Sequence, residues 1–147
     1  PSPKKSASPS PYWEFTSKEG YPILVGKNAT SNDQLTLKVA KSYHYFFHVQ
    51  HHAGSHVVVV CPKNLPTLPP ETIRDAATLA LHYSKLRKTG RGEVNYTLRK
   101  YVHKPKKAPP GKVLLYHNKS IYLTLEPQRL ERLQKSKKTD KIHFFSK

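Results

Sequence analysis

Two apolar runs near the middle of the chain set its pattern. Tyr45-Phe46-Phe47-His48-Val49 and Val57-Val58-Val59-Val60 are aromatic and β-branched, types that fit a pleated, half-buried surface, and they predict a pair of strands. The polar connector from Gln50 to His56 joins them. Gly54 within it is expected to supply a backbone conformation that a side chain would strain. Upstream, Tyr12-Trp13-Glu14-Phe15 opens the ordered part, and Ile23-Leu24-Val25 reads as a short strand that Gly26-Lys27-Asn28 turns out of. Ser31 followed by Gln34 predicts a capping box and a short helix over about 32–41. Leu35, Leu37 and Val39 also alternate as a strand would.

Downstream, the segment CPKNLPTLPP blocks helix until Pro70. Ile73, Ala76, Ala77, Ala80, Leu81 and Ser84 then recur at helical spacing and predict a long helix over about 70–88. Glu71 and Asp75 lie early in it and Lys85, Arg87 and Lys88 late, as the helix dipole favours, with Gly90 and Gly92 ending it. Val94, Tyr96 and Leu98 alternate as a strand. Val113–Tyr116 and Ile121–Leu125 flank His117-Asn118-Lys119-Ser120 and predict a hairpin. Pro127 opens a last helix with Leu130 and Leu133 turned inward. The expected fold is α+β, a mainly antiparallel sheet with the long and the short helix packed on it. A basic Pro/Ser/Lys arm over 1–11, a domain over 12–126 and a basic helix and tail over 127–147 divide the chain.

Charge narrows the partners. The 147 residues suffice for one domain, with 36% hydrophobic residues and 13 prolines. Lys and Arg number 26 against 9 Asp and Glu, a net charge of +17. Such self-repulsion favours a polyanionic partner, nucleic acid first. An anionic membrane surface is the alternative, prompted by Ile142-His143-Phe144-Phe145 on the basic tail. No run is long enough to span a membrane. Cys61 is the only cysteine, so there is no disulfide framework.

Histidines invite a catalytic or metal reading. His48, His51, His52 and His56 fall within nine residues, with His44 nearby. Yet there is no HExxH pattern, and the nearest acid is Asp33, whereas metal-binding histidines are oriented by carboxylates. His48 and His56 as acid and base of a nuclease remain an alternative. Ser55 and His56 are adjacent, and adjacent strand residues point to opposite faces, which argues against a nucleophile–base pair. No GxSxG, GxxxxGK[ST] or GxGxxG motif is present. The expectation is therefore no catalytic residue, no metal, no cofactor and no small-molecule substrate.

Basic clusters with interleaved aromatics carry more. Lys100-Tyr101, His103-Lys104 and Lys106-Lys107 form one, Lys112 to Lys119 around Tyr116 a second, and Lys135 to Lys141 a third. Lysines and arginines supply sequence-independent affinity for phosphates, and neighbouring tyrosines stack on unpaired bases.

Several motifs in order then carry a resemblance. They are ILVGKNATSND (23–33), FFHV (46–49), AGSHVVV (53–59), RDAATLALHYSKLR (74–87) and VNYTLRKYVHKPKKAPPGKV (94–113). From about Phe15 to Leu125 the chain resembles the NFACT-R domain. This is the RNA-binding module of the fibronectin-binding-protein-A-like and ribosome quality control NFACT proteins. The family's D-x-W-F-H-V motif departs here, with His44 and Phe46 in place of the acid and the tryptophan. The resemblance implies a non-enzymatic RNA-binding protein, ribosome-associated, with ribosomal RNA foremost, transfer RNA as an alternative and ribosomal proteins alongside. A constituent of the ribosome is the first expectation, and a transient quality-control factor on stalled large subunits is the second. A mitochondrion or plastid is implied for a eukaryotic host, the cytoplasm otherwise. The expected RNA face comprises Lys27, Asn28, Asn32, His48, Gly54, Ser55 and His56. To these the basic stretch adds Arg99, Lys100, Tyr101, Lys104, Lys106, Lys107 and Lys112, and the tail adds Lys135, Lys137 and Lys138.

Overall fold

Strand alternation divides the apolar residues of this chain between the two faces of one sheet. The computed structural model describes residues 10–139. In chain order its elements are β1 (Tyr12–Thr16), β2 (Pro22–Gly26), α1 (Ala29–Gln34), a π-helical turn (Leu35–Val39), β3 (Tyr45–Val49) and β4 (Val57–Val59). These are followed by α2 (Pro70–His82), β5 (Arg91–Leu98), a 3-10 turn (Arg99–Tyr101), β6 (Val102–His103), β7 (Leu114–Leu115), β8 (Lys119–Thr124) and α3 (Pro127–Ser136). Six strands pair antiparallel in the order β1-β2-β4-β3-β5-β8, and β6 and β7 form a separate two-stranded ribbon. The α+β architecture expected from the sequence is the one observed.

Val25, Val57, Phe47 and Tyr96 lie in register across four strands on one face. They join the main core, where Phe15, Leu79, Leu81 and Leu133 are fully buried. The alanines of α2 let that helix lie close against β3, β4, β5 and β8. Leu24 and Val58 project to the opposite face and bury Leu35 of the π turn. Each large side chain buried this way contributes about 1.5–3 kcal/mol.

Helix α3 packs into this core. Leu133 is fully buried, and α3 packs on α2 and β1. Asp75 of α2, itself fully buried, accepts from Arg129 Nη1 at 2.8 Å, Arg132 Nη2 at 2.6 Å and the backbone N–H of Lys18 at 2.8 Å. Beyond α3 the chain runs along the outer edge of β1. Lys138 N–H donates to the Glu14 carbonyl at 2.8 Å, and Thr16 N–H donates to Ser136 Oγ at 2.9 Å.

Four local expectations are corrected. The long helix stops at His82 rather than 88. Tyr83 leaves helical geometry at φ −97° and ψ 46°, and the next residues bond to the connector instead: Ser55 N–H to Tyr83 O and Lys85 N–H to Ala53 O, both at 2.9 Å. The short helix starts earlier than 32. Asn28, not Ser31, is its cap: Asn28 Oδ1 accepts from Ser31 N–H at 2.9 Å, while Ser31 Oγ accepts from Asn28 N–H at 2.8 Å. It then widens into the π turn, closed by Ala40 N–H to Leu35 O. The expected hairpin does not form, because β7 pairs with β6 and β8 with β5. His117, at φ 52°, turns the chain from one sheet to the other. Gly54 is needed for space, not for backbone freedom. A Cβ there would lie 2.7 Å from Ser84 Cβ, and the left-handed residue of the connector is His51, at φ 62°.

The apolar segment Ile142–Phe145 and the arm over residues 1–9 lie outside the described residues. Among the described residues no helix is long and apolar enough to cross a membrane.

Candidate nucleic-acid interface

At one end of the sheet a set of buried polar bonds fixes three loops against one another. Asn32, on α1, is buried and accepts the backbone N–H of His56 on its Oδ1 at 3.1 Å. Ser55 Oγ donates to the Gly26 carbonyl at 2.7 Å. The ring of His56 is fully buried between Thr36 Oγ1, 2.7 Å from Nδ1, and the Gly111 carbonyl, 2.8 Å from Nε2. A carbonyl only accepts, so Nε2 carries the proton and Nδ1 accepts from the threonine hydroxyl. Gly111 N–H in turn donates to Asp33 Oδ1 at 3.0 Å. Lys104 clamps the same loop, with its Nζ 3.2 Å from Asp33 Oδ2 and 2.9 Å from the Lys112 carbonyl.

The product is an open cleft of about 740 Å³. Lys27, Asn28 and Asn32 line it from α1 and the loop before it. His48, His52, Gly54 and Ser55 come from β3 and the connector. His82, Tyr83, Lys85 and Arg87 come from the end of α2 and beyond, Lys112 from the long loop and Trp13 from β1. No Asp or Glu lies among the described residues that line it. Lys27 and Lys137 place their Nζ atoms 5.8 Å and 4.9 Å from the centre of the Trp13 ring, and Tyr83 packs 5.0 Å from that ring. Burial pushes the pKa of His48 down, and burial together with the charge of Arg87 does the same for His82. Both rings are therefore neutral at pH 7, and the positive potential comes from the lysines and Arg87.

The expected face is thus partly assembled and partly reassigned. Lys27, Asn28, Asn32, His48, Gly54, Ser55 and Lys112 meet at the cleft. His56 is withdrawn from it, both ring nitrogens engaged, and burial lowers its pKa to about 4. That engagement also removes it as half of an accessible acid–base pair. Among the described residues, no group of three or more His, Cys, Asp or Glu is placed to hold a metal. Arg99 spends its guanidinium on the carbonyls of Thr36 and Val102, and Lys104 is the loop clamp. Tyr101 lines a smaller cavity elsewhere, with Lys100 Nζ over its ring, and Lys106 and Lys107 are exposed on the loop. Lys135 and Lys138 pair with Glu131 and Glu14. Sequence reasoning missed Trp13, His82, Tyr83, Lys85 and Arg87. Lys85 and Arg87 stand out in the sequence, but as charges suited to a helix end.

Residues 11–117 match the family model described as the NFACT protein RNA binding domain. The chain belongs to this family. It is 35% identical over 135 residues to the Rqc2 homolog RqcH of Bacillus subtilis, covering 90% of this chain and 23% of that protein. The Rqc2 homolog RqcH of Streptococcus suis is 36% identical over 113 residues, covering 76% and 20% respectively. Among solved structures, the C-terminal part of the fibronectin/fibrinogen-binding protein from Streptococcus suis superposes with a TM-score of 0.77 at 31% identity. That match covers 88% of this chain and 50% of that one. The NFACT-R chain thus spans less than a quarter of the length of the two RqcH relatives.

Proposed function

We propose that this NFACT-R chain is a non-enzymatic RNA-binding module that works in ribosome quality control. It docks on transfer RNA or ribosomal RNA of stalled large subunits. The observation that carries this reading is a cleft with no Asp or Glu among the described residues that line it, in which Lys27, Lys85, Arg87 and Lys112 share the lining with Trp13 and Tyr83. Lysine and arginine side chains neutralise backbone phosphates without regard to sequence, and the two rings offer stacking surfaces for bases. The RqcH relatives support a factor that visits the ribosome over a permanent constituent. They are bacterial, and they lend no support to an organellar location.

Sedimentation of cell extract on sucrose gradients at low and high salt tests the proposal. The protein is expected with the large subunit at low salt and at the top of the gradient at high salt. Retention on the subunit at high salt would restore the constituent reading. Absence from ribosomal fractions at both salts would remove the ribosome from the proposal.

A further inference from the structure

We propose a second RNA-binding site, separate from the cleft: a pocket for one unpaired nucleobase at the root of the β6–β7 ribbon. It rests on the reading of the chain as an RNA-binding module. Pairing of Val102 with Leu115 and of His103 with Leu114 brings together two basic-aromatic clusters that are apart in sequence. Their rings meet in two edge-on pairs. Tyr101 and His117 have centroids 4.6 Å apart at 64°, and His103 and Tyr116 4.9 Å apart at 87°. Neither pair belongs to the hydrophobic core, and Tyr116 is 50% exposed.

Tyr101 and His117 also line a cavity of about 180 Å³, together with Tyr45, Tyr96, Leu68, Ile73 and Lys119. It shares no lining residue with the large cleft, and no Asp or Glu lies among the described residues around it. Lys119 lines it, and Lys100 Nζ sits 5.2 Å over the Tyr101 ring.

A lining rich in aromatic and apolar side chains suits a flat heterocycle and serves a phosphate poorly. Lys119, with Lys100 beside Tyr101, suits the phosphates on either side of that base. In a duplex every base is stacked and paired, so a pocket of this kind distinguishes RNA with an extruded base from regular helix. The net charge of +17 argues for a nucleic-acid occupant over an aromatic side chain from a protein.

Two RNA hairpins with the same stem, each closed by a non-nucleotide linker so that no loop base is unpaired, and one carrying a single-uridine bulge, provide the probe. Their binding to the full chain is followed by anisotropy of labelled RNA. Trp13, the only tryptophan, lines the cleft and reports its occupancy separately by fluorescence. Wild type is expected to prefer the bulged hairpin by about fivefold or more. Tyr101→Ala should abolish the preference while the Trp13 response to the perfect hairpin persists. Tyr101→Phe, which keeps the ring, should retain it, and His117→Asn, which removes the ring but tolerates the left-handed backbone at this position, should reduce it. Equal binding of both hairpins by wild type, or an undiminished preference in Tyr101→Ala, overturns the pocket and leaves the cleft reading intact. No binding of either hairpin by wild type overturns both.

Discussion

His56 Nε2 donates to the carbonyl oxygen of Gly111 at 2.8 Å, tying the central strand pair to a loop 55 residues further along the chain. The bond requires a neutral ring, because Nδ1 is occupied as an acceptor by the Thr36 hydroxyl. Burial holds the pKa near 4, the charge of a protonated His48 would lower it further, and Asp33 opposes. The unfolded chain, with an ordinary histidine pKa of about 6.5, takes up the proton first as pH falls. Stability is therefore full above about pH 6.5, declines between that value and about 4, and stops declining through this group below it. The window corresponds to about 3 kcal/mol for His56 alone. Urea denaturation of wild type and His56→Gln at pH 7.5, 6 and 5 checks it. The difference between the two proteins should shrink toward acid, and a constant difference would be inconsistent with a buried neutral His56.

Gly26 is predicted to tolerate no side chain. A Cβ there would stand 1.9 Å from Asn32 Oδ1, the atom that accepts the His56 backbone N–H. Gly26→Ala must displace Asn32 and leave that buried N–H without its partner, at a cost of about 1–3 kcal/mol. Thermal unfolding reads the loss, and weaker RNA affinity in the same variant is expected because Asn32 also lines the cleft.

Asp75 is predicted to be the largest single electrostatic contributor to the docking of α3. Burial would lower the pKa of Arg129, but bonds to Asp75 and Glu71 raise it beyond the ordinary arginine value. Asp75→Asn keeps the shape and removes the charge, leaving Arg129 with Glu71 and Glu126 as its acidic partners and weakening its buried bond and that of Arg132. A destabilisation of about 1–3 kcal/mol follows for weakening buried charge-assisted bonds. Hydrogen exchange should show early loss of protection in α3, ahead of the central strands.

Charge reversal in the cleft should act through salt. Lys85→Glu, Arg87→Glu and Lys112→Glu are each expected to weaken binding to a perfect RNA hairpin. Each should also flatten the plot of log K against log salt, by about 0.7–0.9 for every phosphate the variant no longer neutralises. Lys104→Glu is a contrasting case, because Lys104 clamps Asp33 and the Lys112 carbonyl, so its main effect should appear in stability. Equal salt slopes for wild type and all three cleft variants would place the RNA elsewhere.

What the sequence disclosed was whatever local spacing dictates. Val57 to Val59 and Tyr45 to Val49 announce themselves as strands because aromatic and β-branched runs have few other uses. The start of α2 is equally plain, since Pro70 suits the first helical turn and little else. Its end is not. Tyr83 and Lys85 leave the helix to bond with Ser55 and Ala53, some thirty residues upstream, and such distant partners leave no periodicity behind. Asn28 and Ser31 are both suitable caps three residues apart, so composition alone does not choose between them. The same reasoning explains the site. The basic residues are visible, but whether Arg99 or Lys104 faces solvent or a backbone carbonyl depends on loops brought together by folding. Trp13, on an edge strand among apolar neighbours, reads as core until the fold shows it flanked by Lys27 and Lys137.

The pairing of Lys138 with Glu14 has a consequence for how such a module travels between proteins. Where the chain enters the fold and where it leaves α3, the backbones run side by side and share an antiparallel bridge. A host polypeptide would meet this domain at a single seam, with no span to cross between its two attachment points. That geometry would let a longer chain enter and leave the unit at one place without parting its six strands. Circular permutation, joining the two ends and reopening the exposed loop around Lys106 and Lys107, should preserve the six strands and the cleft.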